Sequence, residues 1–289
     1  MTGLRALAEL VRAPAALTVP GDTLLGAAAA GRPAGARAVG LAAASVSLYW
    51  AGMALNDYAD RHIDAEERPG RPIPSGRISP RSALVTASVL TGTGLALAGA
   101  SGGRTTLALA LPLAATVWAY DLKLKHTPFG PTAMATARGL DVLMGAGATR
   151  WRQALAPAGT IACHTYAVTT VSRREAHGAT AALPAGALAA TGLIGLGAAA
   201  LPPADAAPAH RATATAVLGG YLLAAGGAQL AATVRPDAAH LRRAVAAGIH
   251  AVIPLQAALT ARAGSVRAAL SLLAAYPLAR GLARKVSPT

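Results

Sequence analysis

Apolar residues run through this chain in long blocks separated by short polar gaps. Blocks of about 17–25 residues are long enough to cross a bilayer core as helices. They fall at roughly 13–31, 38–58, 81–101, 104–121, 131–149, 154–172, 179–201, 212–233, 241–261 and 266–283. The last two are the least distinct. Arg242, Arg243 and His250 interrupt the ninth block, and Ala263 and Gly264 alone separate it from the tenth. The pattern predicts about nine spans, within a range of eight to ten. No gap is long enough for a soluble domain, so residues 1–289 read as one integral membrane domain. The spans are rich in Gly and Ala, which let helix backbones approach closely inside a bilayer. The expected fold is therefore an all-α transmembrane bundle. Ser79 and Pro80 predict an N-cap and a first-turn proline opening the third span.

Composition agrees. Of 289 residues, 54% are hydrophobic and 13% charged, about half the charged share of a soluble domain. Mean hydropathy is positive. The net charge of +14 raises the question of nucleic acid. That reading is rejected, because the basic residues form no patch or stripe and instead punctuate the gaps between spans. Counted by side, fourteen Lys and Arg flank one membrane face and six the other. The excess puts the N-terminus and the 59–80 loop in the cytoplasm, in a multi-pass protein of the cell membrane. Cys163, the single cysteine, lies in an apolar run and reads as a small packing residue; it offers neither a disulfide nor a zinc pattern. The N-terminus lacks a short apolar core followed by a cleavage site, so no removable signal peptide is expected.

The acidic residues are more informative. Of 12 in the chain, five fall within positions 56–67: Asp57, Asp60, Asp64, Glu66 and Glu67. They follow the second span to its cytoplasmic end. At helical spacing Asn56, Asp60 and Asp64 stack at i, i+4 and i+8, with Asp57 beside them. Like charges so placed repel one another, so a cation should neutralise them. Oxygen ligands with little His or Cys nearby suit Mg²⁺, which takes one or two carboxylates and completes its shell with water and phosphate oxygens. The plainer alternative is a solvated face balanced by Arg61, Arg68 and Arg71. The loop behind the cluster, from Arg68 to Arg77, is stiffened by Pro69, Pro72 and Pro74. Arg68 and Arg71 lie on the same side as the aspartates and offer bidentate donors to phosphate. The fourth span ends in Tyr120, Asp121, Leu122, Lys123, Leu124 and Lys125, whose paired lysines stand out in so arginine-rich a chain. Arg138 and Asp141 lie within the fifth span, where each charge costs about 2.5–3.5 kcal/mol on insertion scales. They read as pocket lining or as a mutually neutralising pair. His164 and His250, in apolar runs, read as hydrogen-bonded packing residues.

Asn56-Asp57-x-x-Asp60-x-x-x-Asp64 followed by Arg68-x-x-Arg71-Pro72-Ile73-Pro74-Ser75-Gly76-Arg77 resembles the first signature of the UbiA superfamily of membrane prenyltransferases. The resemblance implies about nine helices around a central cavity. It also implies a prenyl diphosphate donor held through Mg²⁺ by two aspartate-rich motifs. Carried over by position, Asn56, Asp57, Asp60, Asp64 and Glu175 are the catalytic candidates, with Asn56, Asp60, Asp64 and Glu175 on the metal. Arg12, Arg68, Arg71, Tyr120, Lys123, Lys125 and Arg174 are the diphosphate-binding candidates. Tyr120, Leu124 and Lys125 match the family's Tyr and Leu-Lys pattern, and Arg12 precedes the first span where family members often carry an arginine.

The second family motif is largely missing. Where further aspartates are expected, the chain reads Thr169-Thr170-Val171-Ser172-Arg173-Arg174-Glu175-Ala176-His177-Gly178 and keeps one carboxylate, Glu175. Residues 172–178 resemble the UbiA-like branch of Ebo-type gene clusters and related actinobacterial proteins. The expected activity is Mg²⁺-assisted ionisation of the prenyl diphosphate and capture by a small, unidentified acceptor. A non-catalytic transporter or isoprenoid-binding protein, and a terpene cyclase of the same fold, are the alternatives.

Overall fold

In a computed structural model, residues 2–32, 34–200 and 208–286 are described. The last residue of the expected seventh span, Leu201, lies outside them. Among the described residues all regular structure is helical. The helices are α1 (Thr2–Leu10), α2 (Pro20–Ala29), α3 (Ala36–Ala59), α4 (Arg61–Glu67), α5 (Pro80–Gly102) and α6 (Arg104–Ala119). They continue as α7 (Gly130–Ala146), α8 (Leu155–Ser172), α9 (Ala182–Ala200), α10 (Pro208–Val234), α11 (Ala238–Arg262) and α12 (Val266–Val286). Short 3₁₀ turns occupy Ala13–Thr18 and Trp151–Ala154, and a π-helical turn runs from Tyr120 to Leu124.

Each expected span has a helical counterpart, and six helices, α3, α5, α6 with its π turn, α9, α10 and α11, are long and apolar enough to cross a membrane. The first block does not form one helix. Pro20 opens α2 at its first turn, and the preceding residues, Pro14 among them, make a 3₁₀ turn instead. A proline cannot donate the backbone hydrogen bond that would join the two. The outer faces are apolar: Leu193, Leu196 and Leu223 are at least 70% exposed. Facing water, such a surface would be a large hydrophobic patch; facing lipid it carries no cost. Ser79 caps α5 as expected, its hydroxyl accepting from the Ser82 N–H at 3.1 Å. Cys163 departs from expectation, being exposed on the outside of α8.

Close backbone packing holds α2 in the centre of the bundle. A Cβ on Gly26 would overlap the Val142 carbonyl of α7, and one on Gly145 would overlap the Thr23 carbonyl of α2. Glycine at both positions lets the helices touch without side chains between them.

The buried charges pair differently from their sequence neighbourhood. Arg138 does not neutralise Asp141. Its Nε lies 2.9 Å from Asp22 Oδ2 on α2. Gln256 Nε2 of α11 donates to the other Asp22 oxygen at 2.7 Å. Asp141 accepts instead from the Ser45 hydroxyl of α3. This network ties four helices together in the bundle interior. His164 is a packing residue, bonded to the Tyr221 hydroxyl at 3.2 Å and the Gly248 carbonyl at 3.0 Å. His250 meets the Ala246 carbonyl of its own helix at 2.7 Å.

Candidate active site

The carboxylates sit where α3 gives way to α4. Asp60 N–H donates to Asn56 O at 2.9 Å and Asp64 N–H to Asp60 O at 2.8 Å, but Asp60 itself, at φ −87° and ψ 5°, ends α3 and caps α4, so the segment is not one continuous helix. The side chains do not form one stack. The structure sorts the four residues into a pair of Asn56 with Asp60 and a pair of Asp57 with Asp64.

Asp57 and Asp64 face the basic side. Arg71 lies between them, 3.3 Å from Asp57 Oδ1 and 2.6 Å from Asp64 Oδ2. Arg12 reaches Asp57 at 3.0 Å, and Arg68 approaches Asp64 at 3.7 Å. Both carboxylates are buried. Arg12 has φ +47°, the one non-glycine residue with positive φ among those described. A left-handed backbone at a non-glycine residue is strained and persists where its surroundings enforce it; here the side chain is drawn to Asp57.

Asn56 and Asp60 face the end of α6. The π turn closes with Lys125 N–H donating to Tyr120 O at 2.9 Å, five residues back. Such turns re-aim side chains and recur at functional sites. This one points Asp121 at Asn56, whose Nδ2 donates to Asp121 Oδ1 at 3.1 Å. It also sends Lys125 to Asp60, with Nζ and Oδ1 2.7 Å apart. Lys125 Nζ is buried and has no other partner. His126 adds a contact to Asp60 at 3.3 Å. Gly52 permits the approach, since a Cβ there would press on Val117 at 2.9 Å and sit 3.5 Å from Asp121 Oδ2.

The remaining candidates do not converge on these pairs. Glu175 stands on the loop after α8, with Arg242 and Arg68 as its nearby charges. Half-burial pushes its carboxyl above the ordinary range, against the pull of those arginines. Arg173 donates to the Lys125 and Thr127 carbonyls and clamps the π turn in place. Arg174 lines a separate cleft between α8 and α9. Lys123 is exposed and Tyr120 half-buried. Among the described residues no three Asp, Glu, His or Cys side chains gather as a metal cage. The expected set of Asn56, Asp60, Asp64 and Glu175 is thus spread over three pairings. The reason is the break at Asp60 between α3 and α4, and the place of Glu175 on the separate loop after α8.

Asp121 was missed as a site residue. Its signal, a carboxylate beside the Tyr120 and Lys125 motif, was present in the sequence, but only the π turn aims it at Asn56.

The donor set fits a hard cation in its chemistry. Asn56 engages Asp121 through its nitrogen and keeps its oxygen for other use. Asp60 Oδ2 has no protein partner. Asp57, Asp60 and Asp64 are each balanced by an arginine or lysine capable of binding phosphate.

A helical bundle with six helices long and apolar enough to cross a membrane, and with aspartates and arginines gathered at one end, defines the architecture among the described residues. Residues 16–234 match the UbiA prenyltransferase family, and the chain belongs to that family. Its sequence is 45% identical over 95 residues to digeranylgeranylglyceryl phosphate synthase of Methanothrix thermoacetophila, covering 32% of this chain and 35% of that protein. The matched segment thus spans about a third of that relative. The fold is similar to a digeranylgeranylglyceryl phosphate synthase structure, with a TM-score of 0.65 and 16% identity, covering 92% of this chain and 100% of the other. It is also similar to a UbiA homologue from Archaeoglobus fulgidus bound to GPP and Mg²⁺, with a TM-score of 0.60 and 13% identity, covering 88% and 99% of the two chains.

Proposed function

We propose that this protein, as a single membrane domain, moves a prenyl group from a prenyl diphosphate to a small acceptor at the cytoplasmic end of its bundle. The observation that carries this reading is the exchangeable charge lattice: Asp57, Asp60 and Asp64 each hold an Arg or Lys at 3.3 Å or less. A carboxylate ladder alone would repel, and an arginine cluster alone would be an unspecific anion trap. Interleaved, they can take up a metal diphosphate by trading partners, carboxylates to the cation and guanidinium groups to phosphate oxygens.

In this reading Asn56, Asp60 and Asp64 would hold Mg²⁺, with Asp57 behind them and Glu175 as a further carboxylate across the loop. When bound, Mg²⁺ supplies neutralisation of the diphosphate's charge. Arg12, Arg68, Arg71 and Lys125 bind the phosphate oxygens, with Tyr120 and Lys123 at the edge. As the allylic C–O bond breaks, its electron pair leaves with the diphosphate. These cations stabilise the charge that grows there, the kind of preorganised electrostatic contribution that dominates many active sites. Apolar residues packed beside the site, Leu10, Leu55 and Ile73 among them, keep water from the allylic cation. The acceptor's lone pair then forms the new bond, and the acceptor gives up a proton. The activity for which the archaeal relative is named and the GPP bound to the A. fulgidus homologue support the donor class.

Purified protein incubated with prenyl diphosphates and Mg²⁺ should release diphosphate. Asp60→Ala should abolish that release while the protein stays in the membrane fraction. Wild-type turnover by this variant would exclude the scheme, and product masses distinguish transfer from cyclisation.

A further inference from the structure

Beneath the lipid-facing side of α8 and α9 lies an open cleft of about 640 Å³. Its lining includes Thr170, Arg173, Arg174, His177, Thr180 and Leu183, and no acidic residue. The nearest carboxylate in sequence, Glu175, is not among the lining residues. The walls are fixed from both sides. Arg173 is tied to the Lys125 and Thr127 carbonyls. Ala179 N–H donates to the Pro236 carbonyl at 3.0 Å. Gly178 makes the turn between them at φ +80°, where a side chain would be strained. His177 and Gly178 N–H groups both return to the Arg174 carbonyl, at 3.2 and 3.0 Å, which brings Arg174 and His177 to one rim. Among the described residues neither side chain has a protein partner, and both are exposed.

Above this rim the outer face of α8 is apolar or amphipathic and open to lipid. Cys163 is exposed, and Tyr166 is 48% exposed one helical step from Thr170. Tyrosine in that position belongs at the level where acyl chains meet headgroups. The cleft therefore joins a basic pocket with no carboxylate to a surface that an acyl chain can follow.

We propose that this cleft is a headgroup site for a phosphate-bearing lipid of the inner leaflet. Arg174 and His177 bind the phosphate, and the chain lies along the Tyr166 face of α8. Arginine forks suit phosphate oxygens, and basic residues beside a membrane span draw anionic lipid from the leaflet. The cleft adjoins the aspartate lattice through Arg173, which holds the Lys125 carbonyl, and the proposal stands whether or not the prenyl-transfer scheme is correct.

The test uses the full chain purified in detergent, with retained lipid counted by native mass spectrometry after addition of phosphatidylglycerol, phosphatidylcholine or inorganic phosphate. Wild type should retain phosphatidylglycerol over phosphatidylcholine. Each Lys or Arg near an anionic lipid surface is worth about fivefold in affinity, so Arg174→Gln should lower retention about fivefold and adding His177→Gln should lower it further. Arg174→Lys with His177→Lys should restore much of it, which separates charge from folding. Incubation with a prenyl diphosphate tells the two lipid roles apart: an unchanged lipid mass marks a resident lipid, and a gain of one prenyl group marks the acceptor. Equal retention in variant and wild type, no preference over phosphatidylcholine, or binding of inorganic phosphate with no lipid retained would overturn the proposal.

Discussion

Lys125→Met removes the ammonium at the centre of the lattice and keeps most of the aliphatic stem. Nζ lies 2.7 Å from Asp60 Oδ1, with 8% of the lysine side chain and 17% of the aspartate side chain exposed. At an effective dielectric of about 20 the gross attraction is about 6 kcal/mol. Desolvation offsets part of it, and breaking a buried pair from one side typically costs 3–5 kcal/mol. Here the loss should be about 3 kcal/mol, the low end of that range. Asp60 keeps some solvent and the His126 contact at 3.3 Å. Unfolding of the purified protein in mixed micelles titrated with SDS reads this loss. The catalytic effect is measured separately. Removing one preorganised group that stabilises developing charge costs about 10²–10³ in rate, so diphosphate release per folded molecule should fall by that factor. Lys125→Arg should recover part of both losses. A variant with the full stability loss and wild-type turnover would refute the reasoning, because Lys125 would then be a structural counter-ion that never meets the diphosphate.

Arg138→Met should destabilise by about 3–5 kcal/mol, because it leaves Asp22 charged and 0% exposed in the bundle interior; adding Asp22→Asn should recover much of the loss in the same SDS titration. Gly145→Ala should force α2 and α7 apart, since the new methyl meets the Thr23 carbonyl; a loss of about 1–3 kcal/mol is expected from overpacking, and a neutral substitution would show that the two backbones are not in contact. At the N-terminus, a hydrogen bond from Arg77 and a weaker one from Arg5 hold the Glu9 carboxyl below its ordinary range. That tie is complete above the free glutamate value of about 4.3 and is lost as pH falls through the lowered one. Amide exchange in α1 should therefore quicken on acidification, and Glu9→Gln should remove the pH dependence.

The sequence by itself determined the solvent, the fold class and the chemistry of the site. Long apolar blocks can bury their backbone polar groups in a bilayer only as helices, so span positions could be read from periodicity and length. The Asn56 to Asp64 and Arg68 to Arg77 segments are local in sequence, and their family resemblance needed no tertiary contact. Ser79 and Pro80 opened a helix where local rules put it, since a cap is decided within one turn.

What only the tertiary structure decided was pairing. Asp57 went with Asp64 because Arg71 takes both carboxylates across the break between α3 and α4, and Asp121 joined the site because a π turn redirected it. Arg138 left its helical neighbour Asp141 for Asp22, more than a hundred residues away. Charges in a low-dielectric interior take the partner that chain packing brings closest, and sequence spacing does not encode which helix that partner is on. The amphipathic α1 and the break before α2 are similarly settled by docking, in which Leu10 packs against Leu55 and Ile73.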